Sequence, residues 1–154
     1  ASKGKYKDLS GPAVVASLRN SIKYAVVPWV LDHVKTRLVP DERKEIQDAI
    51  VSLCDESSCN VVFTTGGTGF SSRDVTPEAT RAVSTKLALS LSNAAAIHTS
   101  KYEPLSVTSR GIAAIRDKTI IVNLPGRPDA VRQYIEYYAP MLGHIVKQLQ
   151  RDDH

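Results

Sequence analysis

Apolar residues recur at helical spacing through residues 11–22, where Val15, Leu18 and Ile22 share one face behind Ser10 as N-cap and Pro12 in the first turn. Residues 24–32 are apolar but carry Pro28 and Trp29, so a packed connection is expected there, with Trp29 lying over the first helix rather than anchoring a partner. Val34, Thr36 and Leu38 alternate with Lys35 and Arg37, which predicts a strand. Pro40-Asp41-Glu42 then opens a helix whose Ile46, Ala49, Ile50 and Leu53 fall at i, i+3, i+4 and i+7. The β-branched and aromatic run 61–65 predicts another strand, followed at once by Gly66-Gly67-Thr68-Gly69. Thr76-Pro77-Glu78 supplies a capping hydroxyl, an early proline and a first-turn acid, predicting a helix over 77–86, with a second helical stretch over 87–99. Residues 107–115 and 119–123 read as strands joined through Arg116-Asp117-Lys118, and Leu124-Pro125-Gly126 ends the second. Val131, Tyr134, Ile135 and Tyr138 share a helical face, as do Leu142, Ile145, Val146 and Leu149 beyond Pro140. Strands alternating with helices predict an α/β layered domain.

Composition narrows the classes without choosing among them. The 154 residues, 42% apolar and 23% charged, suit one domain over 1–154, with 150–154 a polar tail. A net charge of +4 and a pI near 9.1 favour anionic partners, for which a phosphate-bearing small molecule suffices. No membrane span is expected, because the apolar run 24–31 is interrupted by Pro28 and falls well short of the roughly 20 residues a bilayer demands. Two cysteines, Cys54 and Cys59, are too few for a disulfide framework, so a reducing, cytoplasmic location is expected. His33, His98, His144 and His154 show no ligand spacing, which argues against a structural metal. Lys3, Lys5 and Lys7 lack interleaved aromatics and read as a solvated arm, so no nucleic-acid partner is expected. Tyr134, Tyr137 and Tyr138 read as core or subunit interface, and Ser109 has no Gly-x-Ser-x-Gly elbow of a hydrolase.

Ligands of open α/β sheets bind beyond the carboxyl ends of strands, and three unusual segments fall there: Pro40-Asp41, residues 66–74, and Leu124-Pro125-Gly126. Glycine backbone turns sharply and offers N–H groups to phosphate oxygens, and Thr65 and Thr68 add hydroxyls. As a bare pattern the glycine run is equally well a structural turn, and it has neither the lysine of a P-loop nor G-x-G-x-x-G spacing. Asp41 and Asp74 would repel an anion unless a divalent cation lay between them, which suggests Mg²⁺ arriving with a nucleotide. Taken singly, Asp41 is as readily an N-cap and Asp74 an exposed loop acid.

The run Thr64-Thr65-Gly66-Gly67-Thr68-Gly69-Phe70, followed by Arg73-Asp74-Val75-Thr76-Pro77-Glu78-Ala79-Thr80, resembles the signature of the molybdopterin adenylyltransferases, the family of bacterial MogA and MoaB and of the gephyrin G domain. Asp8, Ser10-Gly11-Pro12, Val39-Pro40-Asp41-Glu42, Pro104, Ser109-Arg110, 111–116 and 121–126 match in order, so the resemblance covers about 7–149. It implies a three-layer α/β/α sandwich around a mostly parallel sheet, a homotrimer, and transfer of AMP from Mg-ATP to molybdopterin with release of pyrophosphate. By motif, Asp41 and Asp74 would be the catalytic acids that hold Mg²⁺ with ATP, and Thr65, Gly66, Gly67, Thr68 and Gly69 would cradle phosphate. Ser109 and Arg110 would contact the pterin or its phosphate, Pro125 and Gly126 would shape the pocket, and Thr99 would replace a substrate-facing serine. The resemblance also admits a gephyrin-like trimeric scaffold that binds molybdopterin with little turnover, and a fusion to, or contact with, a molybdate-insertion domain. A molybdate-inserting domain itself is disfavoured by the Thr-Pro-Glu-Ala-Thr continuation. Two departures stand out. Relatives carry an apolar strand ahead of the segment matching Asp8, whereas this chain opens Ala1-Ser2-Lys3-Gly4, and 83–90 lacks their acidic stretch and Pro-Gly.

Overall fold

A computed structural model describes residues 9–25 and 27–151; the Lys3, Lys5 and Lys7 arm, Asp8, the expectation of a strand ahead of it, and residues 152–154 of the tail lie outside the described residues. In chain order come α1 (Ser10–Ser21), α2 (Arg43–Val51), β1 (Val61–Thr65), α3 (Thr76–Ala82), β2 (Lys86–Leu87), α4 (Leu89–Thr99), β3 (Ala113–Arg116), β4 (Thr119–Leu124) and α5 (Pro128–Leu149). The strands align in the order β1-β4-β3-β2. β1 runs parallel to β4, while β4 with β3 and β3 with β2 are antiparallel. The α/β class therefore holds, and the strands among the described residues form a mixed sheet. The cause is the hairpin at Asp117, whose φ of +49° turns the chain back at once instead of through a crossover helix.

Side-chain alternation along β4 builds the layers. Ile120, Val122 and Leu124 join Leu18, Ala95, Val131, Ile135 and Tyr138, so α1, α4 and α5 cover one face. Ile121 points the other way and meets Val62, Ile46, Ile50 and Ala79, so α2 and α3 cover the second face. This is the three-layer arrangement that the resemblance implies.

Several local expectations are corrected. Residues 34–38 form no strand: their alternation is real, but they find no ladder, and Leu38 is left exposed. Ser10 lies inside α1, with Leu9 as the N-cap, and its hydroxyl bonds that of Thr65 at 3.0 Å instead of capping. Thr76 likewise begins α3 rather than capping it, and that helix stops at Ala82 because Lys86 and Leu87 pair with β3. Pro140 does not split the last helix. The missing N–H removes one bond, whereas an apolar stripe including Val131, Tyr134, Ile135, Tyr138 and Leu142 buries continuously across it. Trp29 turns inward, donating its indole N–H to Ala139 O of α5 at 3.0 Å and packing on the core cluster that Leu18 of α1 shares with α5. Gly143 makes room for this connection, since a Cβ there would run into Val27 O.

Candidate functional site

The parallel pairing of β1 with β4 brings their carboxyl ends side by side, with Thr65 opposite Leu124. Gly66 N–H donates to Leu124 O at 3.0 Å, and a Cβ on Gly126 would stand 3.4 Å from Gly66 Cα. The glycine run and the Leu124-Pro125-Gly126 turn are thus in contact. Gly66 and Gly67 take φ values of +85° and +68°, so two successive residues occupy the left-handed region that glycine tolerates. Gly67 O accepts from Thr76 N–H at 3.1 Å, which seats the loop on the first residue of α3, and a Cβ on Gly67 would collide with Thr76 Oγ1.

Thr68 is buried, and its Oγ1 accepts from the Ser109 hydroxyl at 3.2 Å. Asp74 stands half-buried at the end of the same loop, where its Oδ2 accepts from Ser71 N–H at 3.0 Å. Gly69 lies under that carboxylate, with 2.8 Å separating Oδ2 from where a Cβ would be. Arg110 bridges the segment: Nε donates to Gly69 O at 2.7 Å, Nη2 to Asp74 O at 2.8 Å, and Nη1 pairs with Glu78. That guanidinium holds the Glu78 carboxyl below its ordinary range.

Asp41 sits on the exposed approach to α2 and lines a cavity of about 1820 Å³ that Ser10, Thr65, Thr76 and Gly126 also line. The structure thus gathers Thr65, the three loop glycines and Thr68, Asp74, Ser109, Arg110 and the Pro125-Gly126 turn at one sheet end, with Asp41 across the neighbouring cavity. Thr99 is placed elsewhere in character: it is fully buried on α4, and its Oγ1 finds no hydrogen-bond partner among the described residues. Among the described residues no three His, Cys, Asp or Glu side chains gather as a metal cage. The donor set fits a cation that arrives already coordinated by phosphates and takes one or two carboxylates from the protein.

Asn123 is the residue that pattern reading missed. It is buried in β4, its amide donates to Thr64 Oγ1 and Thr80 Oγ1, each at 2.9 Å, and its Oδ1 accepts from Ile112 N–H at 3.2 Å. It ties both strand ends to α3 beneath the glycine loop. The signal was an amide at the end of an apolar run, where a buried polar group must be fully paired. Asn123→Leu is expected to lower unfolding free energy by about 3 kcal/mol, because it orphans two hydroxyls and an amide. Urea unfolding measures this, and a loss below about 1 kcal/mol would mean that those groups re-pair without it.

Comparisons with known proteins agree with this geometry. Residues 1–144 match the family model described as "Probable molybdopterin binding domain". The chain is 39% identical over 146 residues to the molybdopterin adenylyltransferase of Helicobacter pylori strain J99, covering 95% of this chain and 80% of that protein. Among solved structures, it is similar to the molybdopterin biosynthesis Mog protein of Mycobacterium ulcerans, with TM-score 0.83 and 30% identity over 97% of this chain and 91% of that one. It is also similar to the molybdopterin biosynthesis enzyme MoaB of Thermus thermophilus, with TM-score 0.84 and 29% identity over 96% and 87%.

Proposed function

Because the chain belongs to the molybdopterin-binding domain family, we propose that it is an enzyme of molybdenum cofactor biosynthesis that transfers AMP from ATP to molybdopterin. A phosphate oxygen of molybdopterin attacks the α-phosphorus, a new P–O bond forms, the bond to the β-phosphate oxygen breaks, and pyrophosphate leaves. The observation that carries this reading is the loop seated between β1 and α3. Two successive left-handed glycines turn the backbone sharply at the carboxyl end of β1, between Thr65 and the segment that carries Thr68 and Asp74, a construction suited to a polyphosphate. Transfer at phosphorus needs little covalent help, so the protein's part is alignment and charge balance. Thr65 and residues 66–69 hold phosphate oxygens, Ser109 orients the pterin side through its bond to Thr68, and Pro125-Gly126 walls the pocket. Asp41 and Asp74 are the residues that would hold Mg²⁺, which neutralises charge on the leaving pyrophosphate when bound.

A homotrimer is part of the proposal. It is supported by α4, which carries no Asp, Glu, Lys or Arg yet exposes Ile97, with Tyr102, Leu105 and Val107 exposed beside it. Light scattering on the purified chain reads this mass directly.

The experiment is turnover: molybdopterin, ATP and Mg²⁺ are supplied and adenylylated product and pyrophosphate are followed together. Equimolar release of both is expected. Molybdopterin binding without product would replace the enzyme by a gephyrin-like binding scaffold.

A further inference from the structure

We propose that Arg110 is a positioning residue, a three-way clamp that fixes where the Asp74 carboxylate stands, and not a contact to the substrate's phosphate. This rests on the function proposed above. A guanidinium that recognises a phosphate presents two parallel N–H groups as a fork. In Arg110 three of the five N–H groups, one on each nitrogen, donate to protein: Nε to Gly69 O, Nη2 to Asp74 O and Nη1 to the Glu78 carboxylate, so no nitrogen is left wholly free to join such a fork. Its backbone N–H adds a bond to Thr68 O at 2.8 Å. Three of these acceptors, on Thr68, Gly69 and Glu78, flank Asp74 in the chain, and the fourth is its own carbonyl oxygen.

The loop between them has little else to hold it. Phe70 is 74% exposed, residues 71–73 are exposed, and among the described residues the remaining bonds of 70–74 are short-range turns within the loop. The side chain of Arg110 is by contrast only 33% exposed. Charge points the same way. The Glu78 carboxylate compensates the guanidinium locally. Such a cation offers a weakened field to an anionic ligand and a rigid planar frame to a loop. Lysine cannot reproduce it, because one ammonium on a flexible stem cannot reach acceptors arranged around a plane.

The test is Arg110→Ala and Arg110→Lys in the full chain, read by turnover, by molybdopterin affinity and by backbone hydrogen exchange. A clamp predicts that kcat falls about 30-fold or more in both variants while molybdopterin affinity stays within about 3-fold. It also predicts faster exchange confined to 69–78 with β1 and β4 still protected, and partial recovery of turnover in Arg110→Ala on adding guanidinium ion. A direct contact predicts the reverse, with affinity falling about 30-fold and exchange in 69–78 unchanged, and that result overturns the proposal. Should Arg110→Ala lose protection throughout the sheet, Glu78→Ala removes one leg of the clamp, and unchanged exchange in 69–78 there overturns the proposal equally. If the wild-type chain shows no turnover, the enzyme reading fails separately, while the exchange pattern still decides the clamp.

Discussion

Gly67→Val is expected to abolish ATP binding and to be among the most destabilising changes at the site. Gly67 has φ +68°, a region costly for a residue with a Cβ and worst for a β-branched one. The new Cβ would also stand inside the van der Waals radius of Thr76 Oγ1, and Thr76 cannot retreat because it is buried at the start of α3 and its N–H is bonded to Gly67 O. Backbone strain and overpacking together should cost about 3 kcal/mol, visible in urea unfolding. The loop that survives must swing away from Thr76, so ATP affinity should fall about 100-fold or more by calorimetry. Gly66→Ala separates the two causes. Its Cβ would meet nothing within 4 Å, so only the backbone term at φ +85° remains, about 1 kcal/mol. Wild-type ATP affinity in Gly67→Val would show that this loop is not a phosphate cradle.

The pattern of residues was most legible where one local rule acted alone. Val61–Thr65 is found as expected because a β-branched run between Asn60 and Gly66-Gly67 has no competing reading. Residues 34–38 alternate as cleanly and form no strand, since alternation describes a face, whereas a strand also needs a neighbour's backbone. Lys86–Leu87 was invisible for the opposite reason: two exposed residues carry no period, and only β3 makes them a strand. The convergence of the glycine loop with the Leu124-Pro125-Gly126 turn was legible from chain order, because strand ends collect at one edge. What each side chain does there was not. Arg110 reads in sequence as a cation for a phosphate, yet its nitrogens face three protein oxygens; Thr99 reads as an available hydroxyl, yet it faces the core. Spacing fixes which residues come near and leaves their direction to packing.

Acid pH should bear on the same clamp. Glu78 has its folded pKa depressed by Arg110, so its contribution is present in full above the ordinary carboxyl value, near pH 4.3, and is lost as pH falls through the lowered folded value. Asp74→Asn, in contrast, should be nearly silent in stability and severe in turnover. The amide oxygen of asparagine can still accept from Ser71 N–H, and its volume matches, so the loop and the Arg110 bonds to Gly69 and Asp74 carbonyls persist. Only the charge is lost. A nucleotide-borne Mg²⁺ takes few ligands from protein, so removing one of two carboxylates should lower kcat about 100-fold or more while molybdopterin affinity moves less than about 3-fold. Asp41→Asn removes the other carboxylate from across the cavity and should lower turnover in the same sense, with the double variant little worse than either alone if both act on one cation. Unchanged turnover in Asp74→Asn would leave the half-buried carboxylate with a structural task alone, that of closing its own turn on Ser71.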